Sequence, residues 1–202
     1  MKKLYINIEE IKIKGRPSLL TQPVNDIDRR MQQLASSTEY IKGIMYKFSG
    51  TNQGTQYKKA CEAVTELSAQ LYSASETLND VQHQIVKFEN KCHRYEDESA
   101  SASSPRKHSV KKVKVTVNTS EIEFHKSQMI TVRDSLEKYS RSAKEECKKL
   151  RSNRDSIGRV WTDRQFKDFS VYIDDVCSVI EKGCKELDDY KNYLNIKIKE
   201  LD

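Results

Sequence analysis

Apolar residues recur along this chain in two rhythms. Leu4, Ile6 and Ile8 alternate with Tyr5 and Asn7, and Ile11 and Ile13 extend the alternation until Gly15 and Pro17 interrupt it. A period of two predicts a short β-strand. After Pro17 the rhythm lengthens. Ile27, Met31, Leu34, Ile41, Met45 and Phe48 follow helical spacing, with one polar gap at Thr38. This predicts a helix ending near Lys47, with Thr21 as N-cap and Pro23 in the first turn. The run from Phe48 to Gly54 has two glycines among small polar residues and predicts a loop. A longer helix is predicted from Thr55 to Tyr95, with no Gly or Pro inside it. Its stripe is Tyr57, Ala60, Val64, Leu67, Leu71, Leu78, Val81, Ile85, Phe88 and Cys92.

The second half repeats this order. Residues Glu96 to Ser109 are Ser-rich, contain Pro105 and hold no apolar side chain larger than alanine, the signature of a linker. Val113, Val115 and Val117 alternate as a second strand, and Ser120 with Glu123 forms a capping box. A third helix carries Leu136, Tyr139, Ala143, Leu150 and Ile157. A fourth carries Phe166, Phe169, Ile173, Val176, Ile180, Cys184, Leu187, Leu194, Ile198 and Leu201. A shift of 109 positions takes Leu4 to Val113 and Gln56-Tyr57-Lys58 to Gln165-Phe166-Lys167. It also takes Val64, Leu67, Leu71 and Leu78 to Ile173, Val176, Ile180 and Leu187. The chain therefore divides into a first repeat at 1–95, a linker at 96–112 and a second repeat at 113–202. One amphipathic hairpin leaves half its stripe open, so the expected fold is all-α. Two tandem antiparallel hairpins would close into an elongated four-helix bundle, each preceded by a short strand. The linker allows closure within one chain or by swapping with another.

Between the third and fourth helices lies Gly158-Arg159-Val160-Trp161-Thr162-Asp163, holding the only tryptophan. Gly158 is expected to take a positive φ as the helix ends. Asp163 is expected to cap the next helix. Trp161 is expected to fold over the open end of the hairpin and bury its ring.

Composition agrees with long exposed helices: a third of the residues are charged, and mean hydropathy is −0.79. The net charge is +6, from 36 basic and 30 acidic residues, with signs interleaved as on solvated helix faces. No stretch nears the ~20 apolar residues of a membrane span. The N-terminus lacks the apolar run of a cleavable signal peptide, so a cytoplasmic protein, or one exported without such a signal, is expected. The five cysteines, Cys61, Cys92, Cys147, Cys177 and Cys184, match no metal ribbon and read as small buried thiols. His83, His93, His108 and His125 are scattered, with no nucleophile or carboxylate at a useful spacing. No phosphate-cradling glycine loop is present. Neither a catalytic residue, a metal, a cofactor nor a small-molecule substrate is expected. A basic cluster (Arg106, Lys107, Lys111, Lys112, Lys114) could touch nucleic acid or an anionic membrane surface, but the helices lack a basic stripe with interleaved aromatics, which weighs against nucleic acid.

Each half resembles the WXG family, the helical-hairpin substrates and partners of type VII secretion systems. The Trp-x-Gly position looks like Trp161-Thr162-Asp163, with Asp in place of Gly. In the first half it looks like Phe48-Ser49-Gly50, with Phe in place of Trp. The resemblance implies a non-enzymatic interaction protein: a secretion-system partner, chaperone or substrate. It implies contact with another helical protein or a secretion ATPase through Trp161, Asp163, Phe48 and Gly50. The Tyr-x-x-x-Asp/Glu export signal of that family has no counterpart, since Ser99, Leu194 and Lys197 stand four places after Tyr95, Tyr190 and Tyr193. A tandem single chain lacking that signal points to a cytosolic partner, chaperone or adaptor rather than cargo. Two other classes fit the same residues: a self-assembling coiled-coil scaffold, forming homo-oligomers through the same stripes, and a nucleic-acid-associated helical protein using the basic linker.

Overall fold

The computed structural model describes residues 3–49, 54–95, 110–112 and 125–201. Four helices form it: α1 (Ser18–Lys47), α2 (Thr55–Tyr95), α3 (Lys126–Gly158) and α4 (Arg164–Glu200). α2, at 41 residues, is about 60 Å long. α1 packs on α2 and α3, and α4 packs on α3 and α2, so the helices occupy the corners of a square with no diagonal contact. The predicted stripes face inward. Ile27, Met31, Leu34, Ile41, Val64, Leu67, Leu71, Leu78, Leu136, Leu150, Ile173, Ile180 and Leu187 are all buried. A four-helix bundle thus closes within one chain, and the apolar faces that the sequence offered to a partner are used up internally.

The second hairpin docks antiparallel on the first. Thr38 meets the Tyr139 hydroxyl at 2.6 Å and Arg30 pairs with Glu146 at 2.7 Å, so α1 and α3 run in opposite directions. On the other seam, the rings of Tyr57 and Tyr190 stand 5.9 Å apart. The polar gap at Thr38 is explained by that contact. Its hydroxyl donates to the Leu34 carbonyl and meets Tyr139 in a fully buried site, satisfying a group that would otherwise be costly to bury. Gly183 lets α4 approach α2 closely: a Cβ there would lie 2.7 Å from Leu67 Cδ2.

Several expectations are corrected. The first predicted strand is absent. Residues 3–17 form an irregular strap, turned at 8–10 and bent at 14–15, whose sole ladder contact among the described residues is a single antiparallel bridge between Ile13 and Trp161. A strand needs a continuous neighbouring edge, and the strap has side chains to bond instead. α1 begins at Ser18, before the predicted cap. Thr21 sits inside the helix, where its hydroxyl donates to Glu89 on α2. Pro23 lies in the second turn, where it removes the donor that would reach Leu19. Gly158 remains helical, while positive φ occurs at Gly15 and Gly54. The second strand, the Ser120 capping box and the linker from Glu96 to Ser109 lie outside the described residues. Lys112, the last residue of the 96–112 linker, places its Nζ 4.1 Å from the Tyr72 ring of α2.

The Arg30–Glu146 pair makes stability depend on pH. Burial alone would raise the Glu146 carboxyl, but hydrogen bonds from Lys149 and Arg30 hold it below the usual carboxylate range. A depressed carboxyl stabilises the fold fully above its unfolded value of about 4.3 and loses that contribution as pH falls through the folded value. Glu146→Gln should therefore destabilise the chain near neutrality, and the gap between variant and parent should close in acid. Urea titrations from pH 6 down to pH 2.5 would check this. A gap of constant size across that range would rule out the pair as its source.

Candidate functional site: the covered turn at Trp161

Arg159 to Asp163 close the second hairpin, and the turn is built around one carboxylate. Asp163 Oδ1 accepts from the backbone N–H groups of Gln165 at 2.8 Å and Phe166 at 3.1 Å, capping α4 as predicted. Its Oδ2 accepts from Trp161 Nε1 at 2.8 Å and from the Lys12 backbone N–H at 2.6 Å. One side chain thus ends a helix, satisfies an indole N–H and anchors the strap.

Trp161 is fully buried, its ring 6.0 Å from Phe166 and 5.7 Å from Phe169. The predicted inward fold of this side chain is what the structure has. Gly158 serves this cluster by its size. A Cβ there would stand 2.6 Å from Phe166 Cζ, so any other residue would push the aromatic ring off the helix end.

The strap completes the cover. The Lys14 N–H donates to the Val160 carbonyl at 2.7 Å. Gln165 grips the main chain of Asn7 with both ends of its amide: Oε1 accepts from Asn7 N–H at 2.6 Å and Nε2 donates to the Asn7 carbonyl at 2.9 Å. Glu9 reaches Lys91 on α2 at 2.6 Å. Ile6 and Ile11 are buried beneath the strap, whereas Tyr5 is 79% exposed. The bonds from Gln165 to Asn7 and from Asp163 to Lys12 join residues more than 150 positions apart, and sequence periodicity carries no signal for them. Asn7, Lys12 and Gln165 were accordingly not anticipated as parts of this site.

The first turn differs. Phe48 is half-buried at the end of α1, with Lys47 Nζ 5.5 Å from its ring centroid. Its counterpart across the repeat is Ile157, and the position 109 before Trp161 is Asn52. Phe48 is therefore the equivalent of a helix-end residue, and the two turn sites are not brought together. They lie at opposite ends of the bundle. Gly50 lies outside the described residues.

No cluster of three or more metal-ligating side chains occurs among the described residues. His83 faces the carbonyl of Asn79 at 2.7 Å, and His93 faces Glu89 at 3.7 Å. Four cysteines are buried and Cys92 is partly so. Burial pushes the Cys184 thiol up to about 11, away from the reactive thiolate form. An open groove of about 550 Å³ between α1 and α3 is lined by Ser36, Ser37, Tyr40, Ser135, Lys138 and Ser142. Asp134 also lines it, and no histidine does. No helix among the described residues is long and apolar enough to cross a membrane. Comparison of the chain with protein-family models, curated proteins and solved structures returns no match.

Proposed function

We propose that this chain is a non-enzymatic interaction protein of the WXG kind, a single-chain counterpart of two paired hairpins. It would serve a secretion system as partner, chaperone or substrate. The observation that carries this reading is the repeat itself: two hairpins in the same register, docked antiparallel, with the Trp-containing turn of one sealed by the leading segment of the other. The apolar stripes are used inside the bundle, so a partner engages the outer helix faces and the strap-covered turn. Trp161 and Asp163 then act by holding that surface in shape rather than by touching the partner.

The test is in-cell cross-linking of tagged protein in its native host, followed by identification of what is joined to it. The reading expects a stoichiometric helical partner or a membrane ATPase. It expects Gln165→Ala, which releases the strap at Asn7, to lose that product while keeping its helical circular dichroism. Cross-links only between copies of the chain would replace this reading with the scaffold one. A dominant cross-link to nucleic acid would replace it with the third.

A further inference from the structure

α3 and α4 meet along a seam that brings two cysteines face to face. Cys147 on α3 and Cys177 on α4 are both buried, at 1% and 0% exposure. The Cys177 thiol donates to the Cys147 carbonyl at 3.7 Å, and the two thiols are in hydrogen-bonding contact with each other. Ion pairs fix this register from the surface side. Arg151, four places beyond Cys147, pairs with Glu181 at 2.6 Å and with Asp174 at 3.6 Å. Those carboxylates stand four places after Cys177 and three before it, on the same face of α4. The guanidinium therefore sits beside both thiols.

The other cysteines lack this arrangement. Cys184 is seven positions along α4 from Cys177, about 10 Å away, beyond the roughly 4.4–6.8 Å between Cα atoms that a disulfide spans. Cys61 lies on α2 against the Tyr57 hydroxyl, and Cys92 lies near the other end of that helix. The facing pair is also unequal. A hydrogen bond from Cys147 holds the Cys177 thiol below its ordinary range against the effect of burial. Arg151 adds to this, and Glu181 and Asp174 oppose it. Cys147 is pushed up by the same hydrogen bond and by burial. A thiol that ionises more easily, beside one that keeps its proton, suits an attacking and a resolving cysteine.

We propose that Cys147 and Cys177 are a disulfide-forming pair, which hydrogen peroxide closes into a bond joining α3 to α4 around the Trp161 turn. Cys177 gives up its proton and its sulfur attacks one peroxide oxygen. The O–O bond breaks, the sulfur becomes a sulfenic acid, and the departing hydroxide takes the proton to form water. The Cys147 sulfur then attacks the Cys177 sulfur. The S–S bond forms, the S–O bond breaks, and hydroxide leaves with the Cys147 proton as a second water. The two thiols lose two electrons and the peroxide gains them. Arg151 covers the pair with a side chain that is 35% exposed, so the oxidant enters when this edge of the seam opens locally, and the rate follows that opening. The bond joins residues 30 positions apart and should raise the ratio of folded to unfolded chain by on the order of 100-fold. This pair is separate from the Trp161 cluster and stands or falls independently of the secretion reading.

The experiment treats the full folded chain with hydrogen peroxide, alkylates the remaining thiols in denaturant, and maps the tryptic peptides without reduction. The expected product has lost two hydrogens and joins the peptide of Cys147 to that of Cys177, with Cys61, Cys92 and Cys184 alkylated. Its urea midpoint should lie above that of the reduced chain. Cys147→Ala and Cys177→Ala should each abolish this product, and Cys184→Ala should retain it. In Cys147→Ala the sulfenic-acid trap dimedone should label Cys177, and in Cys177→Ala it should leave Cys147 unlabelled; the reverse pattern would overturn the assigned order of attack. The peptide map of the parent chain needs no substitution, so it decides the matter even where a variant loses its helical circular dichroism. Five alkylated thiols after peroxide, a bond to any other cysteine, or a bond that forms only in urea would overturn the proposal. An oxidised chain that unfolds at lower urea than the reduced one would overturn it too.

Discussion

Trp161→Ala is expected to destabilise the chain by about 3–5 kcal/mol, the usual cost of truncating a large buried aromatic. The indole is fully buried and packs against Phe166 and Phe169. Its environment is also hard to collapse. The strap above it is tied to Gln165 and Val160, and the ring of Phe166 is already pressed against Gly158. A cavity that cannot close retains its full penalty, which places this substitution toward the upper part of the range. Urea unfolding, followed by circular dichroism because the variant has no tryptophan, would measure it. A loss under about 1 kcal/mol would mean that the ring contributes little to the core.

Asp163→Ala is expected to cost roughly 2–4 kcal/mol. Loss of an N-cap accounts for about 1 kcal/mol. Leaving the buried indole N–H of Trp161 without an acceptor adds about 1–3 kcal/mol. The Lys12 N–H loses its acceptor too, but it lies at the surface and water replaces the carboxylate at little cost. Asp163→Asn keeps one acceptor oxygen and should fall between parent and alanine variant. The substitution should also free the strap. Lys12 and Lys14 are tryptic sites at the anchor and just after it, so limited trypsin digestion should remove the N-terminal segment faster than it cuts the helices. Equal cleavage rates in parent and variant would show that Asp163 does not hold the strap.

The helices were legible because their information is local. Each stripe repeats over many turns, and the predicted ends at Lys47, Thr55 and Tyr95 are those of α1 and α2. Asp163 was legible for the same reason, since an N-cap acts on amides two and three residues away. What escaped was set by distant contacts. The alternation of Leu4, Ile6 and Ile8 has the period of a strand, yet it follows from one side of the strap facing the bundle while its main chain bonds to Gln165 and Asp163. Thr21 has the chemistry of a cap, but Glu89 on another helix takes its hydroxyl. Gly158 has the position of a C-cap, but its reason is the ring of Phe166, which no rule of helix termination contains. The amphipathic stripes were visible, but what covers them is a property of the assembled hairpins.

The strap crosses to a turn 158 positions further along the chain. Ribosomes extend proteins at about 5–20 residues per second. Ile6 and Ile11 are therefore synthesised on the order of 8–30 s before Gln165 exists to hold them. During translation the first hairpin is complete but its leading segment is uncovered, two aliphatic residues on an unpaired main chain. For that interval the nascent chain presents a short extended segment to whatever chaperone or membrane surface is near, and the mature molecule hides it.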